Sequence, residues 1–144
     1  MRSGAKAVLF GALVLAACSE SSEPSDPYGV YVLTRANGHA VPAVVIDTNL
    51  VFAHYTDTWN SGTLSFQESG TWSTIIEQTI TANTSNQTIV DTSGGTWTLT
   101  SGTYTLHDTK SPDQVITAKR SGSELTVSTF VPGFDKKLVA VFRK

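Results

Sequence analysis

Short runs in which apolar and polar residues alternate, separated by turn residues, dominate the chain from residue 28 to residue 144. Trp97 and Leu99 alternate with threonines, and Tyr104 and Leu106 do the same a few residues later. Successive side chains of a strand point to opposite faces, so this pattern predicts strands with one covered face and one exposed face. The 21 threonines and 16 serines agree, because β-branched threonine suits the exposed face of a sheet.

Turn residues stand between these runs and predict short connections. Asn37-Gly38 is the strongest hairpin signal, because both central residues of that turn need a positive φ. Further reversals are predicted at residues 60–62, 69–70, 93–95, 101–102 and 121–122, and a polar loop at residues 82–88. We therefore predict one all-β domain over residues 28–144. It should be an antiparallel meander that closes into a small up-and-down barrel of about eight to ten strands, with a sandwich as the alternative.

The first 17 residues have the three parts of an export signal. Arg2 and Lys6 give a basic start, residues 7–17 are apolar or glycine, and Ala16 and Ala17 end the run with small residues. A bilayer span needs about 20 apolar residues, so the run is too short for a transmembrane helix. We expect residues 1–17 to be a cleaved signal peptide.

The four residues Leu15-Ala16-Ala17-Cys18 include the single cysteine of the chain. They resemble the lipobox of bacterial lipoproteins. The resemblance implies that Cys18 is the lipid attachment site, carrying a diacylglycerol and an amide-linked acyl chain such as palmitate. Because Ser19 rather than aspartate follows Cys18, it also implies the periplasmic side of the outer membrane. The alternative is an ordinary cleaved signal followed by a free thiol.

Residues 18–27 form the predicted link between this anchor and the domain. Residues 19–27 contain no apolar side chain except two prolines, so they are expected to be a flexible tether of about 30 Å when extended. Without residues 1–17 the chain has 8 basic and 12 acidic residues, a net charge of −4. This balance argues against nucleic acid as a partner and against a basic membrane-binding patch. We expect membrane contact through the acyl chains on Cys18.

A second resemblance covers most of the domain. The run from Gly29 to Leu33, Asn37-Gly38, Val41-Pro42, two Gly-Thr-Trp strands and the closing run 138–144 resemble the lipocalin-like domains of small bacterial lipoproteins. The resemblance implies an up-and-down barrel and specifies no ligand. Animal and plant lipocalins have tryptophan in an early Gly-x-Trp motif where this chain has Tyr31. The side chains expected to point inward are Tyr31, Trp72, Trp97, Leu99, Tyr104 and Leu106.

Motifs for catalysis or metal binding are not apparent. His39, His54 and His107 lie in separate segments, and neither a Gly-x-Ser-x-Gly nucleophile turn nor a glycine-rich phosphate loop occurs. Asp57 and Asp108, the carboxylates nearest to histidines along the chain, are expected on a solvated face. We therefore predict a protein without catalytic, cofactor or metal site residues, although paired carboxylates for sugar hydrolysis depend on a folded distance.

The prediction for function is a membrane-tethered, non-catalytic envelope lipoprotein that binds a small apolar or amphipathic ligand. The alternative is a structural or protein-interaction module with a filled barrel that meets another envelope protein. An interior cavity of about 300 Å³ or more favours the first, and a packed interior favours the second. An enzyme would need a buried cluster that joins His54 or His107 to a carboxylate.

Overall fold

The structure, a computed structural model, describes residues 26–131 and 133–144. The predicted signal peptide, Cys18 and most of the predicted tether lie outside these residues. The described part of the chain forms ten strands: β1 (Gly29–Ala36), β2 (His39–Ala40), β3 (Ala43–Asn49), β4 (His54–Phe66), β5 (Thr71–Ala82), β6 (Ser85–Thr100), β7 (Thr103–Asp108), β8 (Ile116–Ser121), β9 (Glu124–Val131) and β10 (Lys136–Arg143). Within residues 26–131 and 133–144 there is no helix long and apolar enough to cross a membrane.

All the strand pairs are antiparallel, and the sheet closes on itself. The strand order is β2-β1-β10-β9-β8-β7-β6-β5-β4-β3, and β1 also pairs with β4. Strands β1 and β4 to β10 therefore form a closed ring of eight, while β2 extends from β1 and β3 from β4 outside the ring. The all-β, up-and-down barrel predicted from the alternation is confirmed, and the described residues form one closed sheet instead of the two stacked sheets of a sandwich.

Strand β1 joins the two ends of the meander. Its first half pairs with the end of β4, where Gly29 lies opposite Phe66. Its second half pairs with β10, where Leu33 lies opposite Phe142. Because β1 is bonded on both sides, neither β4 nor β10 has a free edge at this seam.

The strongest predicted hairpins are confirmed by their backbone angles. Asn37 and Gly38 have φ of 49° and 85°, and Ser101 and Gly102 have φ of 50° and 75°. Two consecutive positive φ angles define the turn whose twist matches that of its flanking strands. The reversals predicted at residues 69–70 and 121–122 also join neighbouring strands.

Two of the predicted reversals are wrong, because their glycines serve close packing inside a strand. Residues 93–95 lie within β6, and residues 60–62 lie within β4. A Cβ atom on Gly95 would lie 1.8 Å from the carbonyl oxygen of His107, and one on Gly62 would lie 2.5 Å from Cδ1 of Ile76. Glycine is required at Gly95, where the close neighbour is backbone. At Gly62 the nearest atom is the movable end of a side chain, and the added Cβ atom would also lie 3.1 Å from the carbonyl oxygen of Ile75.

The predicted polar loop at residues 82–88 is also wrong for most of its length. The turn is confined to Asn83 and Thr84, and residues 85–88 pair with residues 79–82. This outer part of the β5–β6 hairpin has little buried surface, so the apolar alternation that marks a strand is missing there.

An aromatic cluster fills one end of the barrel. The ring of Phe66 lies 5.9 Å from that of Trp97 and 5.8 Å from that of Tyr104, and Tyr31 packs edge-on against Phe66.

Five of the six side chains expected inside do belong to the core, with Trp97 half-buried: Tyr31, Trp72, Trp97, Tyr104 and Leu106. The expectation for Leu99 is wrong. Its side chain is 40% exposed, because it lies one residue from the end of β6 at the rim of the barrel.

A second apolar cluster covers the side of the barrel where β3 crosses. It consists of Ala36, Ala43, Val45, Ile46 and Leu138. Val45 and Ile46 are adjacent and both buried, which simple alternation does not allow. The pairing of β3 with β4 shifts by one residue between Val44 and Ile46, and such a bulge turns two consecutive side chains inward.

The close packing at Gly95 predicts that Gly95→Ala is severely destabilising. The added methyl group would collide with a backbone carbonyl, which no rotamer change can relieve. We expect a loss of about 3 kcal/mol or more in the free energy of unfolding, measured by urea denaturation. Gly70→Ala is the matched control. A Cβ atom at residue 70 would meet open space, so the variant should lose only the about 1–2 kcal/mol that a positive φ costs a residue other than glycine. Equal losses in the two variants would contradict the interpretation.

Candidate ligand-binding site

The barrel encloses a cavity of about 330 Å³ on the side of the core away from the aromatic cluster. Strand alternation forms its wall: on β5, every second residue from Trp72 to Gln78 faces the cavity, and Ser93 and Asp91 do so on β6. The apolar part of the wall consists of Val45, Trp59, Leu64, Trp72, Ile76, Leu106, Ile116, Val127, Phe130, Val131, Leu138, Ala140 and Phe142. The interior is thus filled at one end and hollow at the other.

Polar side chains surround the mouth of the cavity. Most come from different strands: Asp57 from β4, Gln78 from β5, Asp91 from β6, Asp108 from β7 and Thr129 from β9. The connection from β7 to β8 adds Lys110, Ser111 and Gln114. An apolar wall with a few polar groups at the opening is the common arrangement of a small-molecule site.

Asp57 is the most unusual of these groups. Its side chain is only 7% exposed, and its Oδ1 atom has no hydrogen-bond partner among the described residues. Burial and, to a smaller extent, the negative charge of Asp91 together raise the pKa of Asp57 from 3.8 to about 6. At neutral pH the mouth therefore holds a buried carboxylate whose charge the surrounding residues leave uncompensated.

Asp108, only 5% exposed, has a structural partner. Its Oδ1 accepts a hydrogen bond from the backbone amide of Lys110 at 2.8 Å, which fixes the start of the β7–β8 connection. The ammonium group of Lys110 donates to the carbonyl oxygen of Thr92, and to its Oγ1 at 3.2 Å. The mouth thus contains one carboxylate and one ammonium group that already have partners in the protein.

The connection from β7 to β8 is held against the barrel at both ends. The backbone amide and Oγ1 of Thr109 donate to the carbonyl oxygen of Gly94 at 3.0 and 2.9 Å. Nε2 of Gln114 donates to Oγ1 of Thr129 at 2.8 Å and to the carbonyl oxygen of Phe130 at 2.7 Å. This part of the cavity wall is therefore built from hydrogen-bonded, preorganised chain.

The expected solvated positions of Asp57 and Asp108 are wrong, whereas the neighbouring histidines do lie on the surface. His54 pairs through Nε2 with Oδ1 of Asp47 at 2.8 Å, and both groups are exposed. His107 is exposed beside Thr98, and His39 is exposed on β2. Alternation along the strands separates each histidine from the carboxylate that follows it. In the described ranges, no group of three histidine, cysteine or acidic side chains could hold a metal ion.

The lipid attachment predicted at Cys18 lies outside the described residues, so the cavity is the candidate site that the structure describes. Sequence reasoning had found part of its apolar wall but missed Asp57, Gln78, Asp91 and Asp108. For the carboxylates of β6 and β7 a usable signal existed. Asp91 stands six residues before Trp97, and Asp108 stands two residues after Leu106. Residues an even number of positions apart on a strand share a face, so both carboxylates lie on the same inward face as these two apolar side chains.

Fold and site together define a class: an antiparallel up-and-down barrel of eight strands with an interior cavity that is apolar at its base and acidic at its mouth. Comparison with known proteins adds no closer assignment, since no protein-family model matches the chain and no curated protein matches it significantly.

The buried charge predicts that Asp57→Asn stabilises the protein at neutral pH. The folded state holds the proton of Asp57 up to about pH 6, whereas the unfolded chain releases it near pH 3.8. Ionised Asp57 therefore lowers the free energy of unfolding of the wild type. This loss is absent below about pH 4, grows as the pH rises, and reaches its full size above the folded-state pKa. We expect a gain of roughly 1–3 kcal/mol in the free energy of unfolding at pH 7.5 and none at pH 4, measured by urea denaturation.

The control for this prediction is Glu68→Gln, which removes an exposed carboxylate from the β4–β5 turn. It should change the free energy of unfolding by less than about 0.5 kcal/mol at both pH values. Equal stability of the wild type and Asp57→Asn at pH 7.5 would show that the charge is not destabilising.

Proposed function

We propose that this protein is a lipid-anchored bacterial envelope protein whose lipocalin-like barrel binds a small apolar or amphipathic molecule. The observation that carries the proposal is the cavity of about 330 Å³ inside the barrel. Ligand pockets in proteins begin at about 300 Å³, and they combine apolar walls with a few placed polar groups. The wall and mouth of this cavity have that composition.

A binding role without catalysis is supported by where the reactive side chains lie. The histidines are exposed, and His54 pairs with Asp47 on the outer surface. The described residues that line the cavity include no histidine, so a pair of histidine and carboxylate does not form there.

A second candidate function, contact with another envelope component, is favoured by one surface feature. The turn between β3 and β4 exposes Leu50, Val51 and Phe52, and Phe52 is 93% exposed. Consecutive exposed apolar residues of this size are uncommon on isolated domains and are typical of interaction sites. This candidate leaves the interior cavity without a role, so ligand binding remains the leading proposal.

The anchor is the acyl-modified Cys18, and the expected location is the periplasmic side of the outer membrane. The support is the pattern Leu15-Ala16-Ala17-Cys18 after a basic and apolar leader. Several acyl chains hold a protein at a bilayer stably, whereas a single short chain binds only marginally. Without residues 1–17 the chain has a net charge of −4, which gives it no overall attraction to anionic lipid.

Ligand binding predicts that the barrel takes up a neutral apolar dye. The full chain carrying Cys18→Ser should bind N-phenyl-1-naphthylamine, whose fluorescence increases in apolar surroundings. Ala140→Phe places a ring in the cavity and should weaken binding about tenfold or more, because the ring occupies the space of the dye. Ala82→Phe is the matched control at an exposed position and should bind as the wild type does. Unchanged binding by folded Ala140→Phe, checked by circular dichroism, would contradict the proposed site.

The anchor predicts that Cys18→Ala abolishes lipid labelling. In a bacterial host grown with an alkyne analogue of palmitate, the wild-type chain should carry the label and sediment with membranes. Cys18→Ala removes the thiol that receives the lipid, so the label should disappear from this protein. Ser22→Ala is the matched control four residues further on and should retain it. A labelled Cys18→Ala variant would defeat the assignment.

A further inference from the structure

The mouth of the cavity contains a carboxylate oxygen that the fold leaves without a partner. Asp57 is more than nine-tenths buried, lines the cavity, and has no hydrogen-bond partner for Oδ1 among the described residues. A buried carboxylate oxygen without a partner destabilises the folded state when the group is ionised, and such groups are rare in folded proteins. An ionised carboxylate only accepts hydrogen bonds, so the missing partner must be a donor.

The charges around the mouth select the kind of donor. Three carboxylates line the cavity, those of Asp57, Asp91 and Asp108, against the single ammonium group of Lys110. That ammonium group donates to Thr92, and Asp108 accepts from a backbone amide. Asp57 and Asp91 are thus left as a pair of like charges that face the same space. A bound cation would relieve their repulsion, whereas a bound anion would increase it.

The surroundings of Asp57 also suit a cation that has an apolar body. Trp59 stands two residues further along β4 and lines the cavity beside it. An indole ring attracts a cation through its negative face. Below the mouth the wall is apolar, with Leu64, Ile76 and Phe142 among its residues, so a hydrocarbon body has a place next to the charged group.

We propose that the ligand of the cavity is an amphipathic amine, whose ammonium group pairs with the carboxylate of Asp57 and whose apolar body lies against the wall below. This proposal rests on the proposed ligand-binding function and gives the chemical class of the ligand. A neutral alcohol could donate one hydrogen bond to Asp57 but would leave the charges of Asp57 and Asp91 unbalanced. The ammonium group supplies both the donor and the charge, and charge-assisted hydrogen bonds are about twice as strong as neutral ones.

The test compares three ligands with one apolar body: 1-naphthylmethylamine, 1-naphthalenemethanol and 1-naphthaleneacetate. Their binding to the full chain carrying Cys18→Ser is measured by isothermal titration calorimetry at pH 7.5. At this pH Asp57 is ionised, since its pKa is about 6. We expect the amine to bind about tenfold or more tightly than the alcohol, and the acetate to bind more weakly than either.

Asp57→Asn should bring the affinities for amine and alcohol to within about threefold, with the affinity for the alcohol retained. Glu68→Gln removes the same charge from an exposed position in the β4–β5 turn, outside the cavity wall, and should keep the full preference for the amine. This pair separates direct contact with Asp57 from the general effect of net charge.

The outcomes distinguish the two proposals. Equal binding of amine and alcohol by the wild type overturns the inference and leaves ligand binding in place. A preference for the amine that survives Asp57→Asn also overturns it, because the cation would then be recognised elsewhere. If neither the amine nor the alcohol binds, the proposed ligand-binding function fails as well.

Discussion

The pairing of β1 with both β4 and β10 is the constraint on which the rest of the structure depends. Eight residues form this strand, and they supply hydrogen bonds to the first and the last strands of the seven-strand meander from β4 to β10. Closure removes the free edges of that meander and forces alternate side chains of every strand toward one shared interior. The aromatic cluster, the cavity and the ring of polar groups at its mouth all exist because the sheet is closed.

The fold could be predicted because the sequence patterns that specify its strands and turns are local. Alternating apolar residues mark the covered faces of β5 and β7, and Asn37-Gly38 marks a hairpin through the conformation that both residues must adopt. The two wrong turn predictions, at residues 60–62 and 93–95, share one physical origin. The sequence signal for a glycine in a turn is the same as for a glycine that lets two chains approach. At Gly62 and Gly95 only the packed neighbour reveals which use applies.

The site was less predictable, since its position depends on interruptions of the alternation. Asp91 and Asp108 follow the inward face by simple even spacing along their strands. Asp57 does not, because it stands seven residues before Leu64 and an odd spacing predicts opposite faces. The pairing of β4 with β5 shifts between Trp59 and Ser61, and this bulge returns Asp57 to the interior. The alternation along β4 does not show this shift, which depends on how β4 pairs with β5.

The direction in which the chain enters the barrel has a consequence for how the cavity meets its surroundings. Residues before β1 arrive at the aromatic end, where Tyr28 packs beside Trp97 and the carbonyl oxygen of Asp26 accepts a hydrogen bond from Arg120. The mouth lies at the opposite end of the same strands. If the chain is anchored at Cys18 as proposed, the plugged base is the end from which the tether leaves, and the mouth opens at the far end of the barrel. A ligand that enters through the mouth would then come from the aqueous space on that side.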